Sequence, residues 1–407
     1  MKKSYADNEI LHKVAQSKRD GVYPYFRAIE ASNGASVIIG GQRLINIGSN
    51  NYLGLTHHPH VLEAAGKAME KYGTGCTGSR FLNGNLDLHE ELEFRLAEYL
   101  GQPAALVFST GMQANLGAIT ALCGPGDCLL LDSENHASLL DAARLAFGRV
   151  YKFPHRDLAA LERLLEVNRA RFERIVIVAD GVFSISGEIV QLPRLVELAR
   201  QYDAHLYIDD AHGLGVLGHQ GRGTPDHYGL ATQVDFHMGT FSKTFASIGG
   251  VVCGSRENMD YIRHTARSFI FSAAIPPSVA ATVLACLDVI EQDHSLHTRL
   301  WENVRFMNHG LAELGLLHGE SQTPILPIHI GDEQKAMKVT HYLMDQGVFA
   351  TPILAPAVAP GEAVIRTSYM ASHQREDLEQ VLEVLRRADQ RFGIADECEL
   401  AAENMYL

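Results

Sequence analysis

The stretch GTFSKTFASIGG (239–250) places one lysine, Lys243, between two small hydroxyl residues and just ahead of a glycine pair. Earlier in the chain, HLYIDDAHG puts Asp209 at the carboxyl end of an apolar run, with His212 shortly after it. Asp180 and Ser184 follow another such run in VADGVFS, and Asn135 and His136 follow CLLLDSE. FSTGMQAN (108–115) reads as a strand, a glycine turn and a helix start, whose backbone N–H groups could hold a phosphate. Each residue alone carries little. An aspartate at a strand end is ordinarily a cap or turn residue, a single histidine among 20 is ordinarily structural, and a lysine is ordinarily solvated. Together they suit one kind of chemistry. A desolvated lysine forms a Schiff base with an aldehyde. A buried carboxylate keeps a pyridinium nitrogen protonated. Helix N-terminal amides with the Thr240 and Ser242 hydroxyls grip a phosphate. Pyridoxal 5′-phosphate needs all three.

These residues must be carried by elements that bring them to one edge. Seven short apolar runs stand out: AALVFS (104–109), CLLLD (128–132), RVYKF (149–153), RIVIVAD (174–180), HLYIDD (205–210), VDFHMG (234–239) and GGVVCG (249–254). Most are joined by helical segments such as LPRLVELARQY (192–202), which predicts an α/β fold with a mostly parallel seven-stranded sheet buried on both faces. The last two runs are too close for a crossover helix, so an antiparallel strand and hence a mixed sheet are expected. In such a sheet the carboxyl ends of the strands gather where ligands bind. The division expected is an N-terminal helix and hairpin segment (1–55), a large cofactor-binding domain (56–292), a smaller C-terminal α/β domain (293–395) and an acidic tail (396–407) that frays.

Two glycine patterns point elsewhere and lack the context they need. GTGCTG (73–78) follows a helix, and GLGVLG (213–218) is separated from its strand by DDAH and runs into loop, so neither closes a strand and opens a helix as a dinucleotide site requires. Where GTGCTGSR would need a P-loop lysine it has Ser79 and Arg80. Both read as sharp turns. The net charge of −13 argues against nucleic acid and anionic membrane surfaces as partners. The N-terminus has no apolar core of a signal peptide, and no run approaches the length of a membrane span. The six cysteines form no CxxC pair and read as reduced, which makes the cytoplasm the expected compartment, with at most a peripheral association at the inner membrane face. No metal is expected.

The chain resembles the α-oxoamine synthase family of fold-type I, aspartate-aminotransferase-like pyridoxal-phosphate enzymes. The motifs that carry the resemblance are NNYLGL (50–55), GTGCTGSRFLNG (73–84), FSTGMQAN (108–115), NHAS (135–138), DGVFS (180–184), DDAHGLGVLG (209–218), GTFSK (239–243), FIFSAAIPPS (269–278) and IRTS (365–368). The resemblance implies that Lys243 is the Schiff-base lysine and that Asp209 pairs with the pyridine nitrogen. It implies that His212, with Ser184, contacts the phenolic oxygen and that His136 stacks on the ring. Gly111, Met112 and Thr240 are implied to bind phosphate, and Ser272 to reach the phosphate of the other subunit's cofactor in a homodimer. Asn51 and Arg366 are implied to meet the substrate carboxylate, with Ser79 on a loop near that substrate across the interface.

Family members join an amino acid to an acyl-CoA with loss of CO₂. The loop GSRFLNG, and Ser242 where sister branches typically have glycine, point to the branch that condenses L-serine with a long-chain acyl-CoA to 3-ketodihydrosphingosine. In that reaction the freed Lys243 amine takes the Cα proton, and Arg366 and His136 orient the substrate through its carboxylate. The competing readings are a sister enzyme using glycine, alanine or aminobutyrate, a plain aminotransferase of the same fold, and a binding protein without catalysis.

Overall fold

The computed structural model describes residues 8–317 and 319–405. In chain order its strands are β1 (Ala31–Ser32), β2 (Ser36–Ile39), β3 (Gln42–Asn46), β4 (Ala104–Phe108), β5 (Cys128–Asp132), β6 (Arg149–Phe153), β7 (Ile175–Asp180), β8 (His205–Asp209), β9 (Phe236–Thr240), β10 (Gly250–Gly254), β11 (Ile325–Gly331), β12 (Val348–Phe349), β13 (Thr351–Ile353) and β14 (Ala363–Ser368). The chain divides into two compact units, one of residues 50–299 and one of residues 1–49 with 300–407.

Residues 50–299 hold a seven-stranded sheet in the order β4-β10-β9-β8-β7-β5-β6. β10 runs antiparallel to both β4 and β9, while β5 to β9 pair in parallel. The short link from Thr240 to Gly250 leaves no room for a crossover helix, and β10 turns back as the run spacing predicts. The central strands read as unbroken apolar letters because both faces are covered. Val176 and Val178 enter one core with Leu129, Leu131 and Phe236. Their neighbours Ile175, Ile177 and Ala179 enter the other with Leu130, Leu206 and Ile208. This is the two-residue period of a strand seen from both sides. The edge strand β6, with only Phe153 buried, is the exception. Helices Gly111–Leu122 and Ala137–Leu145 contribute to the first core, and Leu158–Asn168 and Leu192–Gln201 to the second.

In the other unit, β2 and β3 form a hairpin closed by Gly40 and Gly41, at φ +58° and +75°. A two-residue turn with both centres at positive φ matches the twist of its strands and favours glycine. β12 joins this hairpin in parallel beside β3, giving the order β1-β2-β3-β12, and β11-β14-β13 form a separate antiparallel sheet. Most of the acidic tail lies among the described residues. It forms a helix, Ile394–Met405, in which Ile394 and Cys398 are buried, with the Cys398 Sγ 3.3 Å from the His329 carbonyl on β11. Residues four apart make one apolar face on a helix, which a count of charges does not register.

Candidate active site

The carboxyl ends of the parallel strands of the 50–299 unit carry the polar residues. β7 ends at Asp180 and β8 at Asp209, and the two are partners in the parallel ladder. Both are buried. The Asp209 Oδ2 accepts from Asn115 Nδ2 at 2.6 Å, and its Oδ1 accepts from the Ala211 amide at 3.1 Å. Asn115 lies one turn into helix Gly111–Leu122, and its Oδ1 accepts from the Tyr207 hydroxyl at 2.8 Å. Burial, and then the charge of Asp209, push the Tyr207 phenol well above its ordinary range, so it remains a donor. Burial, reinforced by the charge of Asp209, also holds the Asp180 carboxyl well above the usual carboxylate range. The Lys243 ammonium acts in the opposite direction on Asp180, which places the lysine within electrostatic reach of that acid.

Asp180 also fixes the next loop. Its Oδ2 accepts from the His136 amide at 2.8 Å, and Asn135 brackets β7 by accepting from the Asp180 amide and donating to the Val178 carbonyl. His136 caps helix Ala137–Leu145, with its Nδ1 2.7 Å from the Ser138 Oγ. His212 lies on the loop after β8 and is buried, with Nδ1 2.7 Å from the Tyr52 hydroxyl. Ser184, half-buried, lies on the loop after β7.

Lys243 follows β9 in a tight loop. Phe241 and Phe245, two residues to either side, are fully buried, while Lys243 is half-buried between them. Two buried rings thus anchor the backbone and leave the amine at the sheet edge. Thr240 donates to the Gly249 carbonyl at 3.0 Å and lies 2.9 Å from the Ser242 Oγ. Gly111, at the first turn of its helix, comes so close that a Cβ there would lie 2.8 Å from Thr240 Oγ1. A Cβ at Gly250 would lie 2.8 Å from the Gly111 Cα. This cradle of glycines, helix amides and a threonine hydroxyl is suited to a phosphate. Met112 is exposed beside it.

The other predicted residues lie around this edge or apart from it. Ser272 Oγ accepts from Gln113 Nε2 at 3.0 Å, on the same helix N-terminus. The Ser79 hydroxyl is buried with no hydrogen-bond partner, in a loop closed by the Gly84 amide on the Ser79 carbonyl. Asn51 is buried and donates to Thr56 Oγ1 at 2.9 Å. Arg366 belongs to the other unit, buried on β14 opposite Pro327 and Thr351. Tyr52, Asn115, Ser138 and Tyr207 were not singled out from sequence. Asn115 carried a signal, as a polar letter inside the largely apolar helix GMQANLGAITAL, whereas Ser138, Tyr52 and Tyr207 carried none.

The residues fit pyridoxal phosphate: an acid for the ring nitrogen, a lysine in reach of that acid's ladder partner Asp180, and a phosphate cradle that any side chain at position 111 would fill. The comparisons agree with this. The model for aminotransferase class I and II matches residues 42–385. A serine palmitoyltransferase from Bacteriovorax stolpii is 58% identical over 97% of this chain and 94% of its own length. An 8-amino-7-oxononanoate synthase from Alkaliphilus metalliredigens is 40% identical over 95% of this chain and 98% of its own. The solved structure of a serine palmitoyltransferase from S. paucimobilis with bound PLP–myriocin aldimine matches with a TM-score of 0.92 at 31% identity, over 96% of this chain and all of that one. The chain belongs to the aminotransferase class I and II family, within the α-oxoamine synthases of the fold-type I pyridoxal-phosphate enzymes.

Proposed function

We propose that this protein condenses L-serine with a long-chain acyl-CoA, palmitoyl-CoA in the first instance, releasing CO₂, CoA and 3-ketodihydrosphingosine, the first step of sphingolipid synthesis. The observation that carries this reading is the 58% identity to a serine palmitoyltransferase along nearly the whole of both chains. Ser242 and the GSRFLNG loop point the same way.

Bound pyridoxal phosphate supplies an electrophilic carbon for the substrate amino group and takes up the electron pair left at Cα when its proton departs. Asp209 would hold the ring nitrogen, its charge stabilised by Asn115 and the Ala211 amide. His212 and Ser184 would hold the phenolic oxygen. Gly111, Met112 and Thr240 would hold the phosphate, with Ser272 serving the phosphate of a second copy. Lys243 would anchor the cofactor and, with serine bound, would be the amine that takes the Cα proton and later returns it. Asn51, Arg366 and His136 take the serine carboxylate and so select which bond at Cα breaks. Ser79 acts in the substrate loop of the partner's site.

A homodimer completes this arrangement. Leu82 and Phe271, 79% and 73% exposed, flank the Ser79 loop and Ser272, an apolar rim suited to a second copy. The enzyme works in the cytoplasm. No helix among the described residues is long and apolar enough to cross a membrane, and the net charge of −13 disfavours electrostatic docking to anionic lipid.

Reconstitution with pyridoxal phosphate tests the assignment. The wild-type protein gains visible absorbance from the lysine-bound cofactor, and Lys243→Ala loses both that absorbance and turnover. A variant that kept both would overturn it.

A further inference from the structure

A continuous hydrogen-bonded path joins His136 to Asp209 through Asn115 and Ser138. Asn115 Nδ2 donates to Asp209 Oδ2 at 2.6 Å and to Ser138 Oγ at 2.8 Å. Ser138 Oγ lies 2.7 Å from His136 Nδ1. At the other end, Tyr207 donates to Asn115 Oδ1 at 2.8 Å. Asn115, Ser138, Tyr207 and Asp209 are all buried, so no water competes for these groups.

The directions along this path are fixed by chemistry. An ionised carboxylate only accepts, so the Asn115 atom facing Asp209 must be the NH₂. Its carbonyl therefore faces Tyr207, whose phenol is a donor. The second N–H of the same NH₂ occupies a lone pair of Ser138 Oγ, which frees the Ser138 hydroxyl proton for His136 Nδ1. The Ser138 backbone amide also points at His136 Nδ1, at 3.3 Å, and an amide can only donate. Two donors on Nδ1 make it the acceptor nitrogen, so neutral His136 carries its proton on Nε2.

We propose that Asn115 and Ser138 are positioning residues that hold His136 in its Nε2–H tautomer while stabilising the Asp209 carboxylate, so that one amide sets both the carboxylate donor and the electron-sink acid. The proposal rests on the functional reading above. The amide branches: its Asp209 arm serves the cofactor, and its Ser138 arm serves the substrate. A merely structural role for these side chains would move both together, or neither.

The test uses holoenzyme, with serine binding followed through the cofactor absorbance and pyridoxal-phosphate affinity measured separately. Ser138→Ala cuts only the second arm. It is expected to weaken serine binding about tenfold while leaving cofactor affinity within twofold, and Ser138→Thr, which keeps the hydroxyl, restores serine binding. Asn115→Leu cuts both arms and weakens cofactor and serine binding alike, each by about tenfold. The tautomer is read without cofactor or substrate, from ¹⁵N-histidine-labelled protein, with the His136 resonances assigned by their absence in His136→Asn. The proposal expects an unprotonated Nδ1 at neutral pH and a loss of that preference in Ser138→Ala. An Nδ1–H tautomer overturns it, and so does a Ser138→Ala holoenzyme with unchanged serine affinity or with cofactor affinity lowered in step. A wild-type protein that binds cofactor but ignores serine contradicts the functional reading instead, and the labelled-histidine result still decides the tautomer.

Discussion

Asp209 and Asp210 are adjacent acids in one strand end, and the fold gives them opposite tasks. Asp209 accepts from Asn115 and Ala211 and lies beside Asp180, which is in reach of the charge of Lys243. Asp210 faces the other way and is closed in by protein. It accepts from the Thr224 amide at 2.7 Å, the Thr224 hydroxyl at 2.5 Å and His237 Nε2 at 3.0 Å. A Cβ added at Gly181 would lie 2.5 Å from Asp210 Oδ1, which leaves no space there for a ligand. The pleat of a strand sends neighbouring side chains to opposite faces. One letter of the DD pair thus faces Asn115 and Asp180, where we propose that it serves the cofactor, and the other ties the loop after β8 to Thr224 and β9. Residue type alone does not assign a carboxylate; the donors around it do.

Substitution at each position should separate the two tasks. Asp209→Asn is expected to lower turnover by about 10²- to 10³-fold with little change in melting temperature, measured as acyl-CoA-dependent CoA release beside a thermal unfolding scan. Near-normal rates would remove Asp209 from the chemistry. Asp210→Ala is expected to act on stability, because it orphans the buried Thr224 and His237 donors. Denaturant titration should show a loss of about 2–3 kcal/mol, whereas a change below the measurement error would mean the clamp is dispensable.

Asp132, at the end of β5, extends the comparison to a third strand-end acid that only ties loops. Its Oδ1 lies 2.9 Å from His155 Nδ1, and Glu188 lies 3.1 Å from the other ring nitrogen. Burial opposes protonation of His155, but the hydrogen bonds it donates to Asp132 and Glu188 prevail and raise its pKa to about 9, from 6.5. A pKa raised on folding stabilises the fold fully below the unfolded value and loses that contribution as pH rises through the folded one. Stability should therefore fall between pH 6.5 and about 9, by about 1–2 kcal/mol after screening, and His155→Asn should flatten that part of the profile. An unchanged profile in the variant would show that another group titrates there.

The seven strands were legible because a sheet covered on both faces writes itself as continuous apolar letters, and even the reversed β10 followed from spacing. The placement of Asp209 and Lys243 at strand ends was legible because one ends such a run and the other follows one. The partners that tune them were not. Asn115 and Tyr207 come from a helix and a strand far apart in sequence, and nothing in FSTGMQAN or HLYIDD says that they meet over Asp209. The pairing of β12 with β3 was hidden for the same reason, since about 300 residues separate them. The helix Ile394–Met405 was not legible because its acids outnumber the two buried apolar residues, Ile394 and Cys398, that mark its inner face.

The most direct test of the functional account is mass spectrometry of the products formed by the reconstituted protein from palmitoyl-CoA with serine, glycine or alanine, each offered separately. The account predicts CoA and 3-ketodihydrosphingosine from serine, with one CO₂ lost per turnover and little product from the other two amino acids. A keto acid formed without release of CoA, or condensation with glycine or alanine in preference to serine, would contradict it.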